Sequence, residues 1–124
     1  MANILVIEPD RILAKTISDY ISSNGHIVNT VAGAQDAVSS VDNLLPDIII
    51  LEIVLTSHNG IEFLYELRSY PDWQTIPVVI YSRIDRHELG ITTKLRSDLN
   101  IEEILYKPDT SMKKLLDIIE DILR

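Results

Sequence analysis

The sequence predicts an α/β fold in which a five-stranded parallel sheet is covered by helices on both faces. Short β-branched apolar runs alternate five times with segments whose apolar residues recur at helical spacing, and that order demands crossover connections and parallel strands. The runs are largely continuous rather than alternating, as strands buried on both sides are. The chain has 124 residues, 46% of them apolar, which suffices for one core without covalent staples. A single domain over residues 1–124 is therefore expected.

Asn3 to Ile7 (NILVI) is the first strand. From Asp10 to Ser23, Leu13, Ile17, Tyr20 and Ile21 fall on one helical face, Asp10 is placed to cap the start, and Asn24-Gly25 supplies a left-handed stop. His26 to Val31 reads as the second strand, and Ala34 to Val41 as a helix with Ala34, Ala37, Val38 and Val41 in a stripe before Pro46. Asp47 to Val54 is the most β-branched segment and predicts a central strand. Asn59-Gly60 is a turn signal opening a third helix through Ile61, Leu64 and Leu67, closed by Pro71. Ile76 to Tyr81 and Ile101 to Leu105 read as the fourth and fifth strands. Between them, Arg86 to Asn100 reads as a fourth helix carrying Leu89, Ile91, Leu95 and Leu99 despite Gly90. Thr110 or Ser111 caps a last helix with a wide stripe of Met112, Leu115, Leu116, Ile119, Ile122 and Leu123.

Composition removes several chemistries. With no cysteine there is no disulfide, thiolate nucleophile or cysteine metal site. A net charge of -8 with scattered basic residues opposes direct nucleic-acid binding. The longest apolar stretch, Ile48 to Leu55 broken by Glu52, is far short of the roughly 20 residues of a membrane helix. Met1-Ala2-Asn3 leads straight into the first strand without a basic leader, so a cytoplasmic location is expected. His26, His58 and His87 lie in separate segments and read as surface or turn residues rather than a shared metal site.

In an open parallel sheet, a site forms at the carboxyl ends of the strands. The residues there are Glu8-Pro9-Asp10, Glu52, Ser82-Arg83 and Tyr106-Lys107-Pro108. The segments ILVIEPD (4–10), PDIIILEIVLTSHNG (46–60), PVVIYS (77–82) and YKP (106–108) resemble, in order and spacing, those of the response-regulator receiver domain of two-component signalling. The resemblance covers residues 3–123 and implies a (βα)5 flavodoxin-like receiver fold.

In that family an acidic pair after the first strand holds magnesium. An aspartate on the third strand takes a phosphoryl group, a fourth-strand hydroxyl binds it, and a fifth-strand lysine contacts it. The resemblance thus assigns Glu52 to the phosphoacceptor position, Ser82 and Lys107 to the phosphate pocket, and Glu8 with Asp10 to the acidic pocket. It also implies a cis bond before Pro108. The departures are specific. Pro9 stands where the principal metal-binding acid belongs and offers no side-chain oxygen. Glu52 is one methylene longer than aspartate, which displaces its oxygens by roughly 1.5 Å. Arg83 replaces a very small residue and reads as a pocket gate that covers the site or pairs with Glu52. The aromatic usually found three residues before the lysine is Ile104, and the interval from Ser82 to Lys107 is a few residues long for the family.

Each assignment has a plainer counterpart. Glu52 is either a built-in imitation of the phosphorylated state, reaching toward Lys107 and Ser82, or an ordinary strand-end ion pair. Lys107 is expected to pair with Glu52, and Glu8 and Asp10 read as a solvated acid and a helix cap rather than metal ligands. Trp73 is read as an indole over a helix end, and Ile118 as the margin of the last helix's core face or of a homodimer surface.

The sequence therefore predicts an atypical receiver domain acting in phosphorelay signalling as a phosphorylation-independent protein-interaction module. It would have no catalytic residue and no resident cofactor, magnesium binding being weak at best. Its partner would be a sensor kinase or output protein, met through the fourth-helix, fifth-strand and fifth-helix face, with no nucleic acid or membrane. The alternative is a working metal-dependent phosphoacceptor served by a histidine kinase. A flavin or nucleotide binder of the same architecture would want a phosphate loop after the first strand, and Glu8-Pro9-Asp10 has the wrong charge for one.

Overall fold

The structure, a computed structural model, describes residues 1–56 and 59–124. Five strands, β1 (Asn3–Ile7), β2 (Ile27–Val31), β3 (Ile48–Leu51), β4 (Val78–Ser82) and β5 (Ile101–Tyr106), form one parallel sheet in the order β2-β1-β3-β4-β5. Between and after them run α1 (Arg11–Ser22), α2 (Ala34–Asn43), α3 (Gly60–Ser69), α4 (Thr93–Asp98) and α5 (Met112–Leu123).

Side chains of successive strand residues point to opposite faces, so each apolar run feeds two cores. Leu5, Ile7, Ile49, Leu51, Val78 and Ile80 pack with Phe63, Leu64 and Leu67 of α3 and with Ala37 and Val41 of α2. Ile4, Val6, Ile48, Ile50, Val79 and Tyr81 pack with Ile17 and Ile21 of α1 and Leu115, Leu116 and Ile119 of α5. Burying a single Ile or Leu of this kind stabilises the fold by roughly 1.5–3 kcal/mol, which is why the helices dock on both faces as the stripes require.

The helix starts follow local chemistry. Asp10 Oδ1 accepts from the N–H groups of Ile12 (3.0 Å) and Leu13 (3.1 Å), Asn59 Oδ1 from Ile61 (2.7 Å), and Ser111, rather than Thr110, caps α5. Gly25 takes the left-handed conformation at φ +93° that stops α1.

Four expectations are corrected. The fourth helix is only Thr93–Asp98: Gly90 turns left-handed at φ +68° and Thr92 caps a new start at Leu95 N–H, leaving Arg86 to Gly90 as turns. Strand β3 ends at Leu51, so Glu52 is the first residue beyond it. The Lys107–Pro108 bond is trans. His26 is half-buried, with Nδ1 accepting from Ala2 N–H (3.2 Å) and Nε2 facing Glu120 (3.0 Å), while His87 is exposed in a turn and His58 lies outside the described residues. Trp73 packs tilted against Tyr70 beyond α3, with ring centroids 4.4 Å apart, and Ile118 is half-buried against the α1–α5 core.

The start of α3 presses on the chain that carries Glu52. A Cβ on Gly60 would lie 2.9 Å from Ile53 Cα and 3.1 Å from the Glu52 carbonyl oxygen, so only glycine permits this approach. Gly60→Ala is expected to cost ~1–3 kcal/mol, seen as a fall in Tm of roughly 5 °C or more. An unchanged thermal melt would show that the loop yields freely.

Candidate functional site

Four adjacent strands end at one edge, and each contributes a polar side chain there: Glu8 after β1, Glu52 after β3, Ser82 closing β4 and Lys107 after β5. The sheet fixes their approach, since Glu52 N–H still bonds the Ile7 carbonyl (3.0 Å) and Ser82 is registered against Tyr106. All three acceptor-bearing residues are inside, with Glu8 5%, Glu52 3% and Ser82 0% exposed.

The Lys107 ammonium lies between the two acids, 2.5 Å from Glu8 Oε1 and 2.8 Å from Glu52 Oε1, and 5.7 Å from the centroid of the Tyr81 ring. Glu52 is saturated further. Its Oε2 accepts from Ser82 Oγ (2.5 Å) and Val54 N–H (3.1 Å), and its Oε1 from Arg83 N–H (3.1 Å). Ser82 Oγ in turn accepts from Ile84 N–H at 3.1 Å. Glu8 Oε2 accepts from Asp10 N–H (3.1 Å).

Charge follows from these contacts. Burial pushes the Glu52 carboxyl up, but the hydrogen bonds from Lys107, Ser82, Arg83 N–H and Val54 N–H together outweigh it and hold it below the ordinary carboxylate range. Burial likewise opposes the Lys107 charge, and the bonds and charges of Glu52 and Glu8 overcome it, leaving the ammonium above its ordinary value. Desolvation pushes the Tyr81 phenol up, with Lys107 opposing and Glu8 adding to it. The site holds two carboxylates and one ammonium, one net negative charge.

The structure brings Glu8, Glu52, Ser82 and Lys107 together, and it corrects the expectation of a solvated Glu8, which is buried and paired with Lys107. Asp10 stays outside the cluster, its carboxylate turned to the α1 N–H groups. Arg83 enters through its backbone N–H; its side chain is exposed, and the ion pair the sequence leaves open to it is made by Lys107. Val54 and Arg83 N–H have no sequence signature, because a backbone donor is aimed by the turn and not by residue type. Tyr81 was legible only as a strand residue adjoining Ser82.

A divalent cation meets an unfavourable donor set. The Oε1 atoms of Glu8 and Glu52 already share the ammonium, Pro9 supplies no oxygen, and among the described residues no group of three His, Asp or Glu side chains is arranged to hold a metal. No helix of the described residues is long and apolar enough to cross a membrane.

The profile of the response regulator receiver domain matches residues 4–120. Regulator of RpoS from Escherichia coli (strain K12) is 28% identical over 116 residues, covering 94% of this chain and 33% of that protein. Protein-glutamate methylesterase/protein-glutamine glutaminase 2 of Oleidesulfovibrio alaskensis is 26% identical over 117 residues, covering 92% of this chain and 32% of its own length. The chain thus spans about a third of the length of these two relatives. Chemotaxis protein CheY4 of Vibrio cholerae superposes with a TM-score of 0.87 at 20% identity over 99% of both chains, a likeness that establishes the fold.

Removing the ammonium strands two buried carboxylates. Lys107→Met is expected to destabilise the domain by ~3–5 kcal/mol in urea unfolding, with Glu52→Gln in that background recovering part of the loss. No loss in the single variant would refute the buried pair. The pH dependence has two limits. The depressed Glu52 pKa stabilises the fold above the ordinary value of about 4.5 and this contribution is lost as pH falls through the folded value. The raised Lys107 pKa stabilises it below the ordinary value of about 10.5, a contribution lost as pH rises through the folded value. In wild type both contributions should be intact between these limits and lost outside them, while in Lys107→Met burial pushes the stranded Glu52 carboxyl up. The stability gap should therefore begin to narrow above about 4.5 as pH falls and again above about 10.5 as pH rises, as urea unfolding across pH will measure.

Proposed function

The chain belongs to the response regulator receiver domain family, and on that premise we propose that it is a receiver of two-component signalling that acts by protein contact without being phosphorylated. Glu52 stands at the phosphoacceptor position in this reading, with Ser82 and Lys107 as the phosphate-pocket groups, Glu8 and Asp10 as the remnant of the acidic pocket, and Arg83 at its mouth.

One observation carries the reading: the hydroxyl, the ammonium and two backbone N–H groups that would receive phosphoryl oxygens are all engaged by the Glu52 carboxylate. A phosphoryl group adds nearly two negative charges and three acceptor oxygens, whereas Glu52 supplies one charge and two oxygens. The imitation is partial in charge and close in partners. Lys107 takes the place between the acids where a cation would neutralise them, so the domain needs no magnesium and performs no group transfer. Its partner is a sensor kinase or an output protein, met through the face of α4, β5 and α5.

Incubating the protein with a small acyl phosphate and magnesium, followed by intact-mass analysis, tests the proposal. The wild type and Glu52→Asp are expected to remain unmodified. The triple change Glu52→Asp, Pro9→Asp and Arg83→Ala should gain phosphoryl mass, since it restores acceptor length and metal-binding acid together with a small residue after Ser82. Uptake by the wild type would establish a working phosphoacceptor instead, and uptake by Glu52→Asp alone would remove metal loss as a cause.

A further inference from the structure

At the opposite end of β5 from Lys107, two arginines bind backbone and no acid. Arg68, in the last turn of α3 and half-buried, donates Nε–H to the Leu99 carbonyl (2.9 Å) and Nη1–H to that of Trp73 (2.7 Å). Its Nη2 reaches the Ile76 (2.7 Å) and Asn100 (3.3 Å) carbonyls. Arg96, in the last turn of α4, donates Nε–H to the Ile101 carbonyl (3.1 Å) and Nη2–H to that of Glu102 (2.6 Å). Four successive carbonyls, Leu99 through Glu102, are thus capped by two guanidiniums.

The corner needs such support. Asn100 turns the chain left-handed at φ +53°, a conformation asparagine tolerates better than most residues. Directly after it, Val78 pairs with Ile101 but Val79 with Glu103, so Glu102 is the extra residue of a bulge. A bulged residue is left out of the ladder, and Arg96 satisfies its carbonyl. Helix α4 has six residues and no fully buried side chain, too little to hold itself in place. Arg68 joins this corner to the turn after α3 and the approach to β4, using the planar fork of donors that only arginine has. Burial without a carboxylate pushes its pKa below the ordinary value, and the carbonyl dipoles are what hold the cation there.

We infer that Arg68 and Arg96 form a clamp that fixes the α4–β5 corner in one arrangement, making the fourth-helix side of the domain a preset surface. The clamp stands on these six bonds; its use as a constant face for a partner rests on the proposed function above.

Amide hydrogen exchange on the full chain tests the clamp, with Arg68→Lys, which keeps the charge but cannot span the carbonyls, and with Arg96→Gln on α4 itself. In both, amides of residues 93–103 should exchange at least ~tenfold faster while the slowest amides of β1 and β3 keep their wild-type rates. Unchanged exchange across residues 93–103, or equal acceleration throughout the chain, would overturn the clamp. If Arg68→Lys fails to fold, Arg96→Gln alone decides between these results. Phosphoryl uptake by the wild type would remove the reading on which the partner face rests, independently of the exchange result.

Discussion

The Lys107 ammonium, shared by two buried carboxylates, is the constraint on which the rest of the site depends. Glu8 and Glu52 end neighbouring strands, and two desolvated negative charges at such a distance would repel at a cost of several kcal/mol. The cation converts that repulsion into a tie between β1, β3 and β5, and Ser82 adds β4 through its hydroxyl. One cluster therefore joins four of the five strand ends at the edge where ladder bonding runs out.

The same saturation limits what Glu52 can do chemically. Every group that gathers around its oxygens also lowers the carboxyl pKa, stabilising the anion and reducing its nucleophilicity. Its carboxylate meets Ser82, Lys107 and the Arg83 N–H together; in the proposed reading, an aspartate would stop short of them and leave room for an incoming group. In the proposed reading, length, charge and the lack of a side-chain oxygen at Pro9 act in one direction.

Much of this was legible in the sequence because the deciding signals are local. Continuous apolar runs gave the buried strands, Asp10 and Asn24-Gly25 bounded α1, and the polar residues after each strand named the edge cluster. What was not legible depends on chain separated in sequence. The fourth-helix segment has helical spacing over residues 86–100, yet Gly90 and Thr92 divide it and only six residues remain helical. Arg83 suggested a guanidinium over the pocket, whereas the turn after β4 directs its N–H inward and leaves the side chain exposed. Arg68 carried no signal at all, since its acceptors are carbonyls up to 32 residues away.

Strand β5 links the Lys107 site to the Arg68–Arg96 corner. It is an edge strand, paired only with β4, and an edge is ordinarily the part of a sheet freest to shift. Here one end is followed by Lys107, anchored to Glu8 and Glu52, and the other begins under Arg68 and Arg96, whose guanidiniums hold the carbonyls on both sides of Asn100. Six residues of strand span only about 20 Å, so little slack lies between the anchors. A signal passing from pocket to surface requires an element with two discrete arrangements that both sites bias. Pinned at both ends, β5 offers one, and in the proposed reading that is how a pocket with a fixed charge presents a partner with a fixed face.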